Sequence, residues 1–398
     1  MAQGKPARAV VVGGGIGGLT AAAALLRRGW EVTVVERAGS VEPVGAALSL
    51  SPNALRALDV IGAGDRIRAL GAPLGDGGVR TPHGRRILRT RADAATSRFG
   101  EPLLLLHRAA LVDALIALLP PDTVRTGAPA TLADAGDPGD TGRPARVSTP
   151  DGELEADLVV AADGIHSAVR RTLFPDHPGP VYSGFTAWRL VIAVPDVECA
   201  SQETWGRGSI WGTHRLNDGR VYCYAAATVP AGGRAPDERA ELLSRYGDWH
   251  RPVPDILAAA RPEDVLRHDV HHLARPLPAF HHGRVALLGD AAHAMPPRLA
   301  QGGNQAIEDA VVLAHHHTDL PAYTAARLPR TAYVTRQAVR ASRVSLVANP
   351  VAVAVRNAGL AVLSAAGPGL LMRGFDGIAD WRPPQAPYAA EQAGADQQ

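Results

Sequence analysis

The chain has 398 residues, 46% of them hydrophobic and 20% charged, which is enough apolar material for a sizeable core and excludes a disordered chain. Forty-one basic and thirty-nine acidic residues leave a formal charge of +2, too balanced for a protein whose main task is neutralising phosphate backbones. Lys5 is the only lysine, and Cys199 and Cys223 are the only cysteines; a disulfide framework or multi-thiolate metal centre is excluded, and a Schiff-base or P-loop lysine would have to be Lys5.

Residues 9–12 are a β-branched run, 13–18 a glycine cluster and 19–28 an alanine- and leucine-rich stretch stopped by Gly29. Residues 32–35 form a second β-branched run ending at Glu36. This order predicts a strand–helix–strand opening. Residues 60–100 are mixed and glycine-rich and carry no clear assignment. Residues 107–119 predict a helix, because Ala110, Leu111, Ala114, Leu115 and Leu118 share one face; Pro120 and Pro121 end it. Residues 131–144 read as a Gly/Pro/Asp-rich connection, and 158–162 as a buried strand closed by Asp163-Gly164.

From 178 to 277 the texture changes. Trp188, Trp205, Trp211, Tyr222, Tyr224, Tyr246 and Trp249 all fall here, and alternation over 221–225 predicts an antiparallel sheet. Residues 284–288 return as a strand, followed by Gly289-Asp290 and a helix over 303–316. Residues 321–347 are helical. Residues 351–371 are apolar, but Arg356, Asn357 and Gly367-Pro368 interrupt them, so a helix packed on the protein body is expected rather than membrane insertion.

The expected fold is α/β: a Rossmann-like domain interrupted by a mainly antiparallel β-sheet domain, with a C-terminal helical segment. The expected boundaries are 1–177, 178–277, 278–320 and 321–398. No signal-like segment precedes the first strand, so a cytoplasmic location is expected.

Gly13-x-Gly15-x-x-Gly18 is weak alone. Here it follows a strand, opens a helix and is answered by Glu36 at the end of the next strand, which together favour an adenine dinucleotide. Gly13 allows the tight turn, Gly15 the approach of a pyrophosphate, and Gly18 close helix–strand packing. Asp163 and Asp290 each stand at a strand end, where a carboxylate either accepts hydrogen bonds from a polyol or caps a helix. His315-His316-His317 has no acid or cysteine cluster beside it, so no metal is expected; His271-His272 and His281-His282 read as surface residues. His293 reads equally as a packed structural histidine.

These pieces resemble the FAD-dependent aromatic-ring hydroxylases, single-component flavoprotein monooxygenases of the para-hydroxybenzoate hydroxylase fold. The similarity rests on four segments in family order: the Gly13–Gly18 fingerprint with Glu36-Arg37, Asp163-Gly164, Gly289-Asp290 with Pro296, and Gln301-Gly302-Gly303-Asn304 leading into Glu308-Asp309-Ala310. Val44-Gly45-Ala46-Ala47 with Pro52-Asn53, Arg108, and Tyr323, Arg327 and Pro329-Arg330 also look like family features. The nearest look is to the salicylate- and urate-hydroxylase branch.

The resemblance implies residue roles. Gly13, Gly15, Ile16, Gly17 and Gly18 would hold the FAD pyrophosphate, and Glu36 the adenosine ribose. Arg37 and Arg108 would sit near the adenosine and phosphates, with Gly45, Ala46 and Asp163 also in the cofactor site. Gly289 and Asp290 would serve the ribityl chain or phosphates. Pro296 and the loop through Gly302, Gly303 and Asn304 would flank the isoalloxazine. Most members carry glycine where this chain has Ala300. The implied activity is hydroxylation of a small aromatic or heteroaromatic substrate through a flavin C4a-hydroperoxide, with NADH or NADPH and O2 as cosubstrates. No nucleic-acid partner is implied, and the protein is expected as a monomer or homodimer.

The aromatic strand places Tyr222 first among candidate substrate contacts, with Tyr224 beside it and His214 and Arg189 nearby. The arginine that accompanies this tyrosine in urate hydroxylases is replaced at the matching spacing by Ile210. A ring less anionic than urate is therefore expected, or one held by Arg189 or His214. The alternatives are an FAD dehydrogenase or oxidase of the same fold, a halogenase and a non-catalytic regulator. The halogenase lysine and Trp-x-Trp-x-Ile-Pro segment are missing, and the intact Asp290 and Pro296 segments argue against a regulator.

Overall fold

The computed structural model describes residues 6–41, 47–195 and 197–384. A six-stranded sheet runs in the order His281–His282, Val285–Leu287, Leu158–Ala161, Arg8–Val12, Glu31–Val35, Val124–Arg125. All its pairings are parallel except the His281–His282 edge hairpin. The strand Arg8–Val12 sits in the middle, with Val10 opposite Val159 on one side and Thr33 on the other. Helices cover such a parallel sheet, which is why its strands read as unbroken apolar runs. Helix Ile16–Leu26 packs against helix Gly302–His315 within one core.

A seven-stranded sheet lies beside it, in the order Leu266–His272, Val181–Ile192, Val221–Ala227, Ser209–Arg215, Ser201–Trp205, Gly77–Arg80, Arg86–Thr90. Its last two strands come from the segment 60–100. Gly77–Arg80 pairs in parallel with Ser201–Trp205, so a partner more than 100 residues downstream gives this weak segment its structure. Helices Glu238–Tyr246 and Val253–Ala259 cover one face, packing Leu242, Tyr246, Ile256 and Leu257 on Trp188, Trp211, Cys223 and Ala225. The other face carries Tyr222 against Ala47 and Leu105. Those two residues belong to a separate small sheet of Ala47–Leu50, Leu104–His107 and Ala72–Pro73, whose Leu50, Leu104 and Leu106 pack into the core of the six-stranded sheet. The helix expected over 107–119 is Arg108–Ile116, and His107 instead ends the strand Leu104–His107.

The C-terminal helices are Leu320–Ser345, Pro350–Ala365 and Pro368–Arg373. Arg356 is the only residue buried on Pro350–Ala365, so the packing expected of this apolar segment is slight. No single helix among the described residues is long and apolar enough to cross a membrane.

Candidate active site

The nucleotide end is built on the turn after the first strand. Gly13 has φ +110°, and a Cβ there would lie 2.3 Å from the Ala162 carbonyl oxygen. A Cβ on Gly18 would lie 2.0 Å from the Gly13 carbonyl oxygen. Only glycine fits either place. A Cβ on Gly15 would meet nothing within 4 Å, which leaves that backbone open to a ligand. Ile16 and Gly17 form the first turn of helix Ile16–Leu26, whose N-terminus has no side-chain cap; its unpaired N–H groups suit an anion. Gly17 faces Leu288 and Ala306, so its part is helix packing.

Glu36 accepts hydrogen bonds from the backbone N–H of Gly14 (2.7 Å) and Ala38 (2.9 Å), one on each oxygen. Each oxygen keeps a further lone pair for a ribose hydroxyl. Arg37 is exposed beside it. Gly45 and Ala46 lie outside the described residues. Asp163 caps the helix Ala168–Leu173 through one oxygen, which accepts from Ala168 (2.7 Å) and Val169 (3.2 Å). Its other oxygen is buried with no partner among the described residues.

Asp290 opens the short helix Asp290–His293 but makes no cap. Its carboxylate is solvent-accessible yet surrounded by protein. Burial raises its proton affinity, while His293, Arg108 and Arg170 act in the opposite direction. Gly302 approaches the same carboxylate: a Cβ there would lie 3.9 Å from its Oδ1. Gly302, Gly303 and Asn304 form the first turn of helix Gly302–His315, again without a side-chain cap. The open space over Gly15 and Gly303, the orphaned Asp163 oxygen and two uncapped helix N-termini together fit FAD.

The loop before that helix runs from Pro296, which is extended, through a 3-10 turn at Pro297–Leu299 to Ala300. Ala300 is left-handed, with φ 52° and ψ 27°, a conformation that costs a non-glycine residue about 1 kcal/mol. Ala300→Gly is expected to raise stability by up to about 1 kcal/mol. A shift in the denaturant midpoint measures this, and no gain would mean the methyl group offsets the strain by packing.

The Asn304 side chain is committed to the protein. Its oxygen accepts from the Ser51 N–H, and its amide donates to the Ser49 and Ala300 carbonyls. What it can offer a ligand is its backbone.

Beneath the loop lies a network that the sequence marked only as family features. Glu308 and Asp309 are fully buried neighbours. Arg327 donates to both, at 2.5 Å and 2.6 Å, and Arg330 donates twice more to Glu308. Asn53 and Gln305 also donate to Glu308. Asp309 accepts from the Gly289 N–H at 2.9 Å and contacts His293 Nε2 at 2.5 Å. Burial alone would raise the Asp309 carboxyl; His293 and Arg327 outweigh it and hold it below the ordinary range. His293 therefore takes its packed structural reading. Two adjacent acids on an apolar helix, with arginines three residues apart on the next, were the available sequence signal.

The sheet face completes the site. Tyr222 lies directly opposite His214, and Tyr224 opposite Arg189. Residues so paired share a face. Tyr222 is buried, which raises its phenol, against the pull of the adjacent Arg189. His214 is buried and stacks on Tyr224 with ring centres 5.7 Å apart. Burial pushes its imidazole down to about 4 against the influence of Glu203, so it is neutral at pH 7 and its Nδ1 has no hydrogen-bond partner among the described residues. Arg189 acts electrostatically on Arg108, as does Asp290, which brings the sheet face to the cofactor end.

Glu203 and Arg298 are the residues that sequence reading missed. The Tyr224 ring lies across Gly212, where a Cβ would meet it at 2.2 Å, and its hydroxyl donates to Glu203 on the next strand. Trp205 Nε1 also donates to Glu203, at 2.5 Å. Arg298, from the 296–300 loop, grips both Glu203 oxygens at 3.0 Å and 2.9 Å. Burial would raise Glu203; Arg298 and the other donors override it and hold the carboxyl at about 2. One bidentate ion pair thus ties the loop to the aromatic face.

The family model described as "FAD binding domain" matches residues 7–317. The chain belongs to that family. It is 38% identical over 332 residues to the aurachin C monooxygenase/isomerase of Stigmatella aurantiaca, covering 81% of this chain and 85% of that protein. It is 33% identical over 315 residues to the FAD-dependent urate hydroxylase of Klebsiella pneumoniae, covering 77% and 80%. The structure of Klebsiella pneumoniae HpxO complexed with FAD and uric acid matches with a TM-score of 0.83 at 28% identity, covering 94% of this chain and 96% of that one. The chain is accordingly an oxidoreductase of the FAD-dependent monooxygenase class, as the motif order implied, with FAD as its cofactor.

Proposed function

We propose that this flavoprotein hydroxylates a small aromatic or heteroaromatic ring, seated between the Tyr222–Tyr224–His214 face and the 296–304 loop. The observation carrying this reading is the Arg298–Glu203–Tyr224 connection, which keeps an aromatic wall against the loop whose helix N-terminus suits the flavin. Bound FAD supplies hydride acceptance from NAD(P)H and activation of O2.

The chain's own residues bind and orient. Tyr222 and Tyr224 offer flat walls and hydroxyls. Neutral His214 offers one hydrogen bond without a charge. Arg189 supplies the positive charge nearest Tyr222. Ile210 is fully buried against Phe185, Ala187 and Ala226, so it offers a ligand nothing polar. This supports a substrate less anionic than urate, or an anion met by Arg189. The free N–H groups of Gly302 and Gly303 would stabilise negative charge on the reduced ring edge.

A panel of phenols, hydroxypyridines and quinolones tests the reading: a true substrate should accelerate NAD(P)H oxidation and yield a product one oxygen atom heavier. Accelerated oxidation with no oxygen incorporated into any product would favour a dehydrogenase or oxidase. Tyr222→Phe is expected to lower product per NAD(P)H at unchanged FAD content. Wild-type coupling in that variant would remove Tyr222 from the substrate site.

A further inference from the structure

We propose that the surface made by helices Leu320–Ser345 and Pro350–Ala365 seats the protein on an anionic phospholipid leaflet. The two helices are bent by 113° from one another. With residues 272–274 they enclose a groove of about 1050 Å³, lined by Leu273, Val339, Val347, Val355, Leu360 and Leu363. Beside it a ridge stands in solvent: Val351 and Val362 are each 71% exposed and Val355 is 68% exposed. Arg356, the only charged residue on Pro350–Ala365, turns inward and donates to the carbonyls of Ser345 and Gly206. The helix therefore shows water the apolar surface that a soluble helix turns to its core.

Charge borders this apolar surface on one side. Arg336, Arg340 and Arg343 line the groove at helical spacing. All three are exposed, and none has an ion pair or hydrogen bond among the described residues. No Asp or Glu occurs from Leu320 to Phe375. Arg327 and Arg330 are already spent on Glu308 and Asp309. The surface is thus apolar and cationic, with no local acid to neutralise it.

This combination selects the occupant. A two-fold contact would set this same patch against itself, which offers apolar surface but no acid to meet the arginines. A soluble amphiphile in the groove would leave Val351 and Val362, which lie outside its lining, in water. A leaflet covers groove and ridge together and brings lipid phosphates to the guanidinium groups. The helices would lie on the surface rather than cross it.

Co-sedimentation of the full-length holoenzyme with phosphatidylcholine vesicles, with and without phosphatidylglycerol, tests this. Binding should require phosphatidylglycerol and weaken with salt. Combined R336Q, R340Q and R343Q should lower the partition on the order of a hundredfold, since each guanidinium near the surface raises the binding constant about fivefold and the three factors multiply. Combined V355D and V362D should also abolish it. Both variants should keep their FAD and their substrate-stimulated NAD(P)H oxidation. Equal binding to neutral vesicles, no binding to either, or variants that bind like the parent would overturn the proposal. A stable dimer in sedimentation velocity that V355D dissociates would overturn it in favour of a second copy. Binding of an acidic amphipathic peptide without vesicle binding would overturn it in favour of a protein partner.

Discussion

Arg327→Met is expected to destabilise the protein by about 3–5 kcal/mol, the usual cost of leaving buried charge without its partner. Arg327 is the shared counter-ion of Glu308 and Asp309, both fully buried. Arg330 reaches only Glu308, so Asp309 would keep only its contacts with His293 and the Gly289 N–H. The loss should extend to FAD retention, because Asp309 also holds the Gly289 N–H next to Asp290. Denaturant unfolding with and without added FAD measures both effects.

The pH dependence should change sign. In the parent, Asp309 is held below its ordinary value; its contribution is present above the unfolded carboxyl range and is lost as pH falls through the folded value. In the variant, an unpaired buried carboxylate prefers its proton, so lowering the pH from neutral should recover stability. A variant as stable as the parent, with the same pH profile, would show that Arg327 is not the compensating charge.

Glu203→Gln is expected to lower product per NAD(P)H by on the order of tenfold, since small misplacements of a reacting ring are costly. It leaves the buried Arg298 without its carboxylate and weakens the grip on Tyr224. A stability loss of about 3 kcal/mol should accompany it. The double variant Glu203→Gln, Arg298→Gln separates the two effects. It removes the stranded charge, so stability should largely return, while the tie between loop and aromatic face stays broken and coupling stays low. Recovery of coupling together with stability would reduce the pair to a purely structural role. In the parent, the pair's contribution should hold at neutral pH and fade only as pH falls below the ordinary carboxylate range towards about 2.

Features encoded within one strand, turn or helix were legible in the sequence. Alternation over 221–225 puts Tyr222 and Tyr224 on one face and Cys223 and Ala225 on the other, because successive side chains of a strand point oppositely, and the cores divide that way. The Gly13–Gly18 spacing encodes a turn whose close approaches exclude a Cβ, which the geometry at Gly13 and Gly18 bears out. Strand-end acids also announced themselves, but not their partners: Asp163 caps a helix with one oxygen, whereas Asp290 caps nothing.

The tertiary structure alone decided what joins distant segments. Gly77–Arg80 has little strand character of its own and enters the second sheet only because Ser201–Trp205 offers it a parallel edge. Glu203 and Arg298 are 95 residues apart, and no periodicity links them. Tyr224 reaches Glu203 only across a glycine on the intervening strand. The left-handed turn at Ala300 was signalled only by the resemblance, whose members carry glycine there; alanine itself gives no sign of it. Local patterns record which side of an element is apolar, because that is fixed by the pitch of the chain. Ion pairs and strand partners depend on how elements pack, and that balance is struck only in the folded molecule.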